Sequence, residues 1–400
     1  CIHFKTGGCK ICVDFCGVDA IDHSMQDEVI ELNVGSIILA PGFEPFDPSK
    51  FDTYNYSKHP NVITSMEMER ILSASGPTGG HLVRPSDHNE PKKIAWFQCV
   101  GSRDLNRCDN SYCSSVCCMY AIKEAVIAKE HAGDDLDCAI FFMDMRTHGK
   151  EFERFYDNAR EKQGVRFLRS RIHTIDPVAD SGDLSVRYVT ENGKLESETF
   201  DMIVLSVGLQ TPSETAELAR RLGLEMTDGN FCKTDTFDPV ATSQKGIYVC
   251  GAFQGPKDIP ETVIQGSGAA AGAMSVLGDR RGTEIEEVVL PPERDITDED
   301  PKIGVFVCHC GVNIAGTVDV QEVADAAAKE DGVAHSETIM YACAPDGQAK
   351  VKELINEKGL NRVIIASCTP RTHSPLFQDT IREVGLNKFL FELADIREQC

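Results

Sequence analysis

Short apolar runs alternate with longer amphipathic stretches between residues 91 and 210. The apolar runs predict buried strands, and the stretches between them place apolar residues at helical spacing. In chain order the segments are KIAWFQCV (93–100), CMYAIKEAVIAKEH (118–131), LDCAIFFMDM (136–145), EFERFYDNAREKQ (151–163) and VRFLRS (165–170). Two further runs, LSVRYVT and ESETFDMIVLSVG, predict an antiparallel insertion that returns to a central strand. The alternation indicates an α/β fold with a doubly wound, mostly parallel sheet.

The same pattern divides the rest of the chain. Residues 28–48 read as two strands, and residues 246–278 as a buried strand, a glycine-rich corner and a helix of small residues. An acidic stretch with two adjacent prolines predicts a solvated linker, after which an α/β pattern restarts. The predicted parts are a short cysteine-rich unit (1–24), an α/β module (25–283) with a second nucleotide-binding-like domain at about 91–210, the linker (284–301) and a small α/β domain (302–400).

Composition and charge narrow the classes of partner. A chain of 400 residues has room for two or three domains, each with its own core. The formal net charge of −23 disfavours binding to nucleic acid or to an anionic membrane surface, because phosphate neutralisation needs a basic face. We find no run of about eighteen uncharged apolar residues, so we expect no membrane span. Small molecules and other proteins are the expected partners.

The chain contains 17 cysteines, which disulfides, structural zinc or iron–sulfur clusters would explain. Disulfide frameworks are typical of small secreted chains without a core, whereas this chain is long and shows no signal peptide. We favour clusters, which indicate the cytoplasm of an anaerobe or of a cell that tolerates low oxygen. Because the sequence opens on Cys1 inside a cysteine motif, we expect it to be a piece of a longer polypeptide.

The candidate metal ligands form three sets of four cysteines. The N-terminal set is Cys1, Cys9, Cys12 and Cys16; the corner set is Cys99, Cys113, Cys117 and Cys118; the strand-end set is Cys308, Cys310, Cys343 and Cys368. We interpret Cys138, Cys232 and Cys250 as core residues, and we leave Cys108 unassigned.

Each set has its own physical rationale and its own alternative. The N-terminal set contains C-x-x-C-x-x-x-C, whose backbone can wrap a 4Fe–4S cluster, or a zinc ion as the alternative. In the corner set, the adjacent cysteines open a predicted helix, where free N–H groups and the helix dipole favour an anionic cluster. A redox dithiol or buried thiols are the alternative there.

The strand-end set follows strands that lie side by side in a parallel sheet, so residues far apart in sequence can converge. The segments after these cysteines, CHCG, CAPDG and SCTPRTH, read as turns. Cys400 is a possible replacement for one member of this set. Zinc binding and unliganded thiols stay open as alternatives.

Two glycine turns resemble the late motifs of flavoproteins with two dinucleotide-binding domains. They are IILAPGFEPFDP and GIYVCGAFQGPKDIP, in which backbone N–H groups would face the flavin pyrophosphate and a helix N-terminus would face the isoalloxazine. Ala252 stands where many such proteins have Asp, and the flavin G-x-G-x-x-G is absent from these 400 residues. The candidate FAD contacts are Pro41, Gly42, Gly251, Ala252, Gly255, Pro256, Lys257, Asp258 and Ile259. Lys257 is also the catalytic candidate, because an ammonium group would stabilise negative charge on a reduced flavin; a surface lysine is the alternative.

Over nearly its whole length the sequence resembles the family of heterodisulfide reductase A-subunits, which are iron–sulfur flavoproteins. The resemblance rests on NVITSMEMERILSASGPTGGHLVRPSD, FQCVGSRD, YCSSVCCMYAIKEA, YVCGAFQGPKDIPETV, IGVFVCHCGVNIAG and SCTPRTHSPLF. It implies a thioredoxin-reductase-like FAD module with an inserted ferredoxin domain that would end at the N-terminal set. The segment from Lys302 resembles the family's N-terminal domain yet follows the flavin module, which implies a fragment of a tandem or fused form.

The resemblance implies electron transfer by FAD and 4Fe–4S clusters. A flavin would take two electrons from a hydrogenase or formate dehydrogenase partner and pass them to a disulfide-reducing partner and to ferredoxin, with flavin-based bifurcation as one form of the reaction. Other heterodisulfide reductase subunits would be the partners in an oligomeric complex. The competing hypotheses are an NAD(P)H-dependent disulfide oxidoreductase and a zinc-stabilised scaffold. The first would require a phosphate-binding glycine loop after KIAWFQ, where the sequence has only Gly101.

Overall fold

The computed structural model describes residues 1–14, 16, 20–133, 135–179, 181–285 and 288–398. Two compact units make up the chain: Glu31–Thr283, and a unit formed by Cys1–Ile30 and Glu284–Cys400. The finer boundaries expected at residues 24, 283 and 301 stay predictions.

Strands and helices alternate through both units. The strands are β1 (Ile37–Leu39), β2 (Glu44–Pro45), β3 (Val62–Thr64), β4 (Lys93–Val100), β5 (Asp137–Phe142), β6 (Arg166–Arg169), β7 (Ile175–Pro177), β8 (Leu184–Val189), β9 (Leu195–Phe200), β10 (Met202–Val207), β11 (Leu209–Gln210), β12 (Ile247–Val249), β13 (Ile303–Cys308), β14 (Val333–Ile339), β15 (Arg362–Ser367) and β16 (Phe391–Asp395). The helices are α1 (Ile2–Thr6), α2 (Ile11–Asp14), α3 (Ser65–Leu72), α4 (Cys117–Ala132), α5 (Phe152–Glu161), α6 (Ser213–Arg221), α7 (Ile259–Val276), α8 (Val320–Ala327), α9 (Pro345–Lys358) and α10 (Pro370–Arg382). Short 3₁₀ turns cover Pro48–Lys50, Asp52–Tyr54, Gly251–Phe253, Gly278–Arg280 and Gly311–Asn313.

A five-stranded parallel sheet organises the unit Glu31–Thr283. Its strand order is β3-β10-β4-β5-β6, and β10 is buried at every residue because both faces of the sheet are covered. Helix α4 packs on one face through small and aliphatic side chains such as Ala121, Ile122 and Ala125. The predicted α/β class with a mostly parallel sheet is confirmed here.

The antiparallel insertion is also present. Strands β7, β8 and β9 form a three-stranded antiparallel sheet, and the chain returns from β9 to the central strand β10. Along β8, Leu184, Val186 and Tyr188 are buried and alternate with more exposed residues. This period of two is typical of a sheet with one face on a core.

The prediction of two strands over residues 28–48 is only partly correct. The structure forms β1 and β2, but no strand over residues 28–33, where Val29 and Leu32 are exposed. Strand β1 pairs in parallel with β12 alone among the described strands. An alternating pattern becomes a strand only when a neighbour supplies backbone partners and a face to bury, and the described residues supply neither to 28–33.

In the second unit, β13 to β16 form a parallel sheet in the order β14-β13-β15-β16. Helices α8, α9 and α10 lie between its strands in the chain, and the core includes Phe306, Ile355 and Phe377. Two segments expected as turns are instead helix starts, since Pro345 and Pro370 are the first residues of α9 and α10. Proline is favourable there because the first helical N–H has no partner within the helix.

Among the described helices, none combines the length and the hydrophobicity needed to cross a bilayer.

Helix α4 carries a buried carboxyl group. Glu124 Oε2 accepts a 2.8 Å hydrogen bond from Trp96 Nε1, and Glu124 Oε1 has no partner among the described residues. Burial raises the pKa of Glu124 well above its usual value, while the Trp96 hydrogen bond opposes the rise. The nearest charges, Glu69 and Lys123, pair with each other at 2.8 Å. The folded chain therefore keeps a proton on Glu124 that the unfolded chain releases.

The first prediction is a pH dependence of stability that Glu124→Gln removes. Because the pKa is raised in the folded state, the contribution of Glu124 to the free energy of unfolding is largest below about pH 4.5 and is lost as the pH rises through the shifted value. Urea unfolding at a series of pH values should show a flatter profile for Glu124→Gln. The exposed Glu217→Gln on α6 is the matched control and should follow the wild type. Parallel profiles for all three proteins would contradict the assignment.

Candidate metal centres and cofactor corner

The corner between β4 and α4 has an unusual backbone. Cys99, Arg103 and Ser115 adopt left-handed conformations, with φ of 62°, 53° and 64°. Such residues cost of order 1–3 kcal/mol each and cluster where a loop is held for function. The loop is pinned internally, since Arg103 N donates to Tyr112 O at 2.9 Å and Asn110 Nδ2 donates to Gly101 O at 2.8 Å.

All four thiols of the corner set lie within electrostatic reach of one another. Cys117 and Cys118 open α4 and are buried, whereas Cys99 and Cys113 are half-buried. Burial raises the pKa of Cys117 to about 12, and Cys118, Cys99 and Cys113 add to the rise. Burial likewise raises the pKa of Cys118 to about 11, and Cys99 and Cys113 contribute again. The structure therefore brings this predicted set together, and Cys117 and Cys118 carry their protons when no metal is bound.

The loop after β5 contacts this set, which the sequence patterns did not indicate. The Cys118 thiol donates to Asp144 O at 3.9 Å and accepts from the backbone N–H of Arg146. The Arg146 guanidinium reaches Cys113, and the Arg103 guanidinium reaches Cys99. The one signal in the sequence was an arginine soon after the carboxyl end of a parallel strand, where sites usually lie.

This corner leaves no glycine loop for a dinucleotide phosphate. Gly101 has a φ of 76°, and a Cβ atom built on it would lie 2.0 Å from Cγ of Phe46. Its missing side chain therefore makes room for a protein aromatic ring. Cys108, which the sequence left unassigned, is half-buried against the apolar cluster that contains Phe46. It lines a small cavity with Cys99 and Phe46.

The strand-end set lies at the carboxyl edge of the second sheet. Cys308 ends β13, Cys368 follows β15, and the Cys310 N–H donates to Met340 O just after β14 at 2.9 Å. Cys310 adopts a left-handed conformation with a φ of 42°. Burial raises the pKa of Cys308, the N–H groups of Ala342 and Cys310 oppose the rise, and the Cys310 and Cys343 thiols add to it.

Cys368 lies within electrostatic reach of two other members of this set, Cys343 and Cys310. Burial raises the pKa of its thiol, nearby Arg397 lowers it, and Cys343 and Cys310 raise it further. The structure thus brings together all four predicted members of the strand-end set. Cys400, the alternative ligand, lies outside the described residues.

Buried polar atoms without partners flank both sets. Among the described residues, Gln98 Oε1 precedes Cys99, His309 Nδ1 lies between Cys308 and Cys310, and Ser367 Oγ precedes Cys368. Leaving a buried polar atom without a partner costs about 1–3 kcal/mol of folding stability.

The described side chains offer no site for a single metal ion. No three His, Cys, Asp or Glu residues of the described ranges converge tightly enough to hold one. A 4Fe–4S cluster takes one thiolate on each of four irons, so its sulfur ligands lie farther apart than those of one zinc ion. Four thiols in each of the corner and strand-end sets match the donor chemistry of such a cluster, and cluster binding by these sets stays a prediction.

The N-terminal set is not brought together in the same way. Cys1 precedes α1, Cys12 lies on α2, and Cys12 Sγ contacts His23 Nε2 at 3.5 Å. Cys16 Sγ accepts from Ala20 N at 3.3 Å, and His3 Nδ1 meets the backbone oxygen of Cys9 at 3.0 Å. Cluster binding by this set stays a prediction. Cys138, Cys232 and Cys250 are buried in the core, as expected.

The two predicted flavin turns are neighbours. Strands β1 and β12 pair in parallel, and Cys250 N donates to Leu39 O at 3.0 Å, so the Pro41-Gly42 and Gly251-Ala252 turns leave the same end of the pair. Gly42 has a φ of 77°, and a Cβ built there meets nothing within 4 Å. The space beside this turn is therefore open among the described residues.

Lys257 is held inside the corner and is not a surface lysine. Its Nζ donates to Gly251 O at 3.0 Å, to Gln254 Oε1 at 2.9 Å and to Gly255 O at 2.6 Å. Burial lowers the pKa of its ammonium group, while Glu261 and Cys250 oppose the shift. Lys257 thus places a positive charge beside both turns, and its action on a flavin stays a prediction.

The start of α7 fits a pyrophosphate poorly. Asp258 and Glu261 form a capping box, in which Glu261 N donates to Asp258 Oδ1 at 2.8 Å and Asp258 N donates to Glu261 Oε2 at 3.2 Å. Two carboxylates already occupy the positive end of the helix dipole, so an anionic diphosphate would be repelled. Contact of this corner with FAD stays a prediction.

Comparison with known proteins defines the class. Residues 119–270 match the family model of pyridine nucleotide-disulphide oxidoreductases. The match begins directly after Cys118, so it covers β5 to β12 and most of α4 and α7, but not β3, β4 or the cysteine-rich corner. This match and the parallel sheets support the expected two-dinucleotide-binding flavoprotein fold. Lactococcus lactis thioredoxin reductase aligns with 61% of this chain and 66% of its own at 18% identity and a TM-score of 0.39, too distant to inform the site.

The chain belongs to the family of heterodisulfide reductase A-subunits. It is 40% identical over 328 residues to the A-subunit of H2:CoB-CoM heterodisulfide,ferredoxin reductase from Methanothermobacter thermautotrophicus, across 77% of this chain and 48% of that protein. It is also 40% identical over 303 residues to the iron-sulfur A-subunit of CoB–CoM heterodisulfide reductase from Methanocaldococcus jannaschii, across 75% and 45%. The chain thus spans about half the length of the curated relatives it matches.

A second prediction concerns thiol reactivity in metal-free protein. With pKa values of about 12 and about 11, Cys117 and Cys118 carry a thiolate fraction of ~10⁻³ or less at pH 8. Alkylation followed by peptide mass spectrometry should show exposed Cys12 reacting at least ~100-fold faster than either. In denaturant the rates should converge. Equal rates in the folded protein would show that the two thiols are not buried as described.

Proposed function

We propose that this chain is the flavin- and cluster-bearing part of a heterodisulfide reductase-type oxidoreductase and that it relays electrons. The observation that carries the proposal is a repeated arrangement of cysteines. Two sets of four lie at the carboxyl edge of a parallel sheet, and within each set the thiols are within electrostatic reach of one another. The relationship to the A-subunits of heterodisulfide reductases supports it.

Two 4Fe–4S clusters would be held within the described residues, one by the corner set and one by the strand-end set. Such clusters, when bound, supply one-electron transfer. The chain's part is to deliver deprotonated thiols, exclude water and compensate charge. Burial of Cys117 and Cys118 excludes water, and metal binding must displace their protons because only thiolates bind. A third cluster at the N-terminal set is the extension of this proposal.

FAD is the proposed flavin, with its ring system on the β1–β12 corner. The oxidoreductase family match supports this choice. The ring would lie over Gly42 and against Gly251 and Ala252, while Lys257 would offset negative charge on it. Gly255, Pro256, Asp258 and Ile259 would shape the corner. The capping box at α7 supports a pyrophosphate position away from this helix.

The relatives' names suggest the partners. One relative, from Methanococcus maripaludis, is named as the A-subunit of H2/formate:CoB-CoM heterodisulfide,ferredoxin reductase. We infer that a hydrogenase or formate dehydrogenase subunit delivers electrons to this chain, and that ferredoxin and a disulfide-reducing subunit receive them in an oligomeric complex. Bifurcation at the flavin, a cytoplasmic location and an anaerobic host belong to the same proposal.

An NAD(P)H-dependent disulfide oxidoreductase is the second candidate, favoured by the name of the matching family. The packing of Phe46 on Gly101 weighs against a nucleotide phosphate at the β4–α4 corner. Stopped-flow mixing with NADPH decides between them. Flavin reduction at catalytic rates would favour the second candidate, and slow or absent reduction would favour the electron relay.

The third prediction assigns the corner ligands. Cys113→Ala and Cys118→Ala should each remove about four irons and the matching acid-labile sulfide from anaerobically purified protein, because each leaves one cluster with three thiolates. Cys138→Ala, which removes a buried thiol that donates to Ala125 O, should keep the full iron content. Equal iron in all three variants would refute the assignment. Zinc without iron in the wild type would support the scaffold alternative instead.

The fourth prediction concerns Lys257. Lys257→Gln should lower the midpoint potential of bound FAD, because the variant lacks the positive charge that stabilises the reduced, anionic ring. Lys257→Arg should restore most of the potential. The control is Lys233→Gln, which removes an exposed charge paired with Glu225 at 2.8 Å. Spectroelectrochemical titration measures the shift, and matching potentials in the two glutamine variants would assign Lys257 a purely structural role.

A further inference from the structure

Two arginines and one aspartate form a charged layer over the corner set. Arg103 pairs with one oxygen of Asp144, and Arg146 Nε lies 3.4 Å from the same oxygen. The Arg103 guanidinium lies within electrostatic reach of Cys99, and the Arg146 guanidinium lies within electrostatic reach of Cys113. Asp144 therefore bridges two guanidinium groups that each lie near a different candidate ligand.

The backbone of the same loop engages a third sulfur. Asp144 O accepts from the Cys118 thiol at 3.9 Å, and the Arg146 N–H is directed at the same sulfur. The loop follows β5 at the carboxyl edge of the sheet, so the parallel topology fixes its position beside α4. Cys118 thus contacts this loop directly, and Cys99 and Cys113 each lie within electrostatic reach of one of the two arginines.

We propose that Arg103 and Arg146, held in place by Asp144, are positioning residues that raise the reduction potential of the cluster bound by the corner set. The inference rests on the proposed function, since it requires a cluster at these cysteines. It adds a role for three residues outside the cysteine motifs.

The physical basis is charge balance. Reduction adds one electron and therefore one negative charge to the cluster, and no bond is made or broken. The electron comes from a low-potential donor, which is reduced flavin in the protein and dithionite in the test. Positive charge and N–H donors near the sulfurs stabilise the more negative state, and hydrogen bonds to sulfur are an established control of cluster potential. With Asp144 offsetting one guanidinium, the layer contributes a net charge of about +1 beside a site with two buried thiols.

The arginines are not needed to fill the core. The side chains of Arg103 and Arg146 are 23% and 34% exposed, and that of Asp144 is 46% exposed. Substitution at these positions leaves no cavity among the apolar residues of the sheet. A change in potential without loss of the cluster is therefore the readout that a merely structural role would not produce.

The experiment is an EPR-monitored redox titration of the anaerobically purified chain with dithionite and mediators. Arg146→Gln should lower the ratio of reduced to oxidised cluster about tenfold at a fixed potential, which is about 59 mV for a one-electron couple. Arg146→Lys should recover most of the shift because it keeps the charge. Asp144→Asn should move the potential upward, because it removes the offsetting negative charge while its amide oxygen can still accept from the two guanidinium groups that Asp144 holds.

Arg187→Gln is the matched control, since it removes an exposed guanidinium that pairs with Asp176 on the antiparallel insertion. It should titrate like the wild type. Equal potentials for Arg146→Gln and Arg187→Gln, or a downward shift for Asp144→Asn, would overturn the inference. If Arg146→Gln loses its cluster, the sign of the Asp144→Asn shift still decides. Absence of any cluster signal and iron from the wild type would instead refute the proposed function.

Discussion

Parallel pairing of strands is the constraint on which both candidate centres depend. Strands that run in one direction end at one edge of their sheet, so the residues that follow them meet whatever their distance along the chain. In the first sheet this brings the end of β4, the start of α4 and the loop after β5 together. In the second sheet it brings the ends of β13, β14 and β15 together. In both sheets the residues that meet at this shared edge include four cysteines.

Placement at the end of a strand does not by itself distinguish these thiols from ordinary core cysteines. Two further features of both sets do. Each set contains one cysteine in a left-handed conformation, Cys99 in the first and Cys310 in the second. Each also has an arginine near a thiol, Arg146 at Cys113 and Arg397 at Cys368. A left-handed backbone at a cysteine lowers the stability of the fold, and a neutral thiol gains little from a nearby cation. Both become favourable when the sulfurs are anionic ligands, because the cation then balances charge and the turn sets the ligand position.

The sequence predicted these centres where local pattern and topology act together. Alternating apolar runs define parallel strands, and cysteines at their ends then share an edge, which is why Cys308, Cys343 and Cys368 could be grouped from sequence alone. Where the secondary structure of a segment depends on a partner far away in sequence, the hydrophobic pattern gave the wrong prediction. Val29 and Leu32 lie in a strand-like run that has no strand beside it, and Pro370 reads as a turn but begins a helix because the rest of α10 packs on the sheet. Arg146 was missed because only the folded loop brings it to Cys113.

The cofactor corner differs from the cysteine sets in the structure that surrounds it. A two-stranded sheet is marginal by itself, and β1–β12 has no third strand among the described residues. Helix α7 buries only Ala269 and Ala273, while Ile259, Val263 and Ile264 are exposed. A helix with apolar residues on several faces is stable only when those faces are covered. Within the described residues, the apolar side chains of α7 beside this corner are therefore left uncovered. The corner and strand-end sets differ in this respect, because each lies at the edge of a parallel sheet of four or five strands whose core is buried.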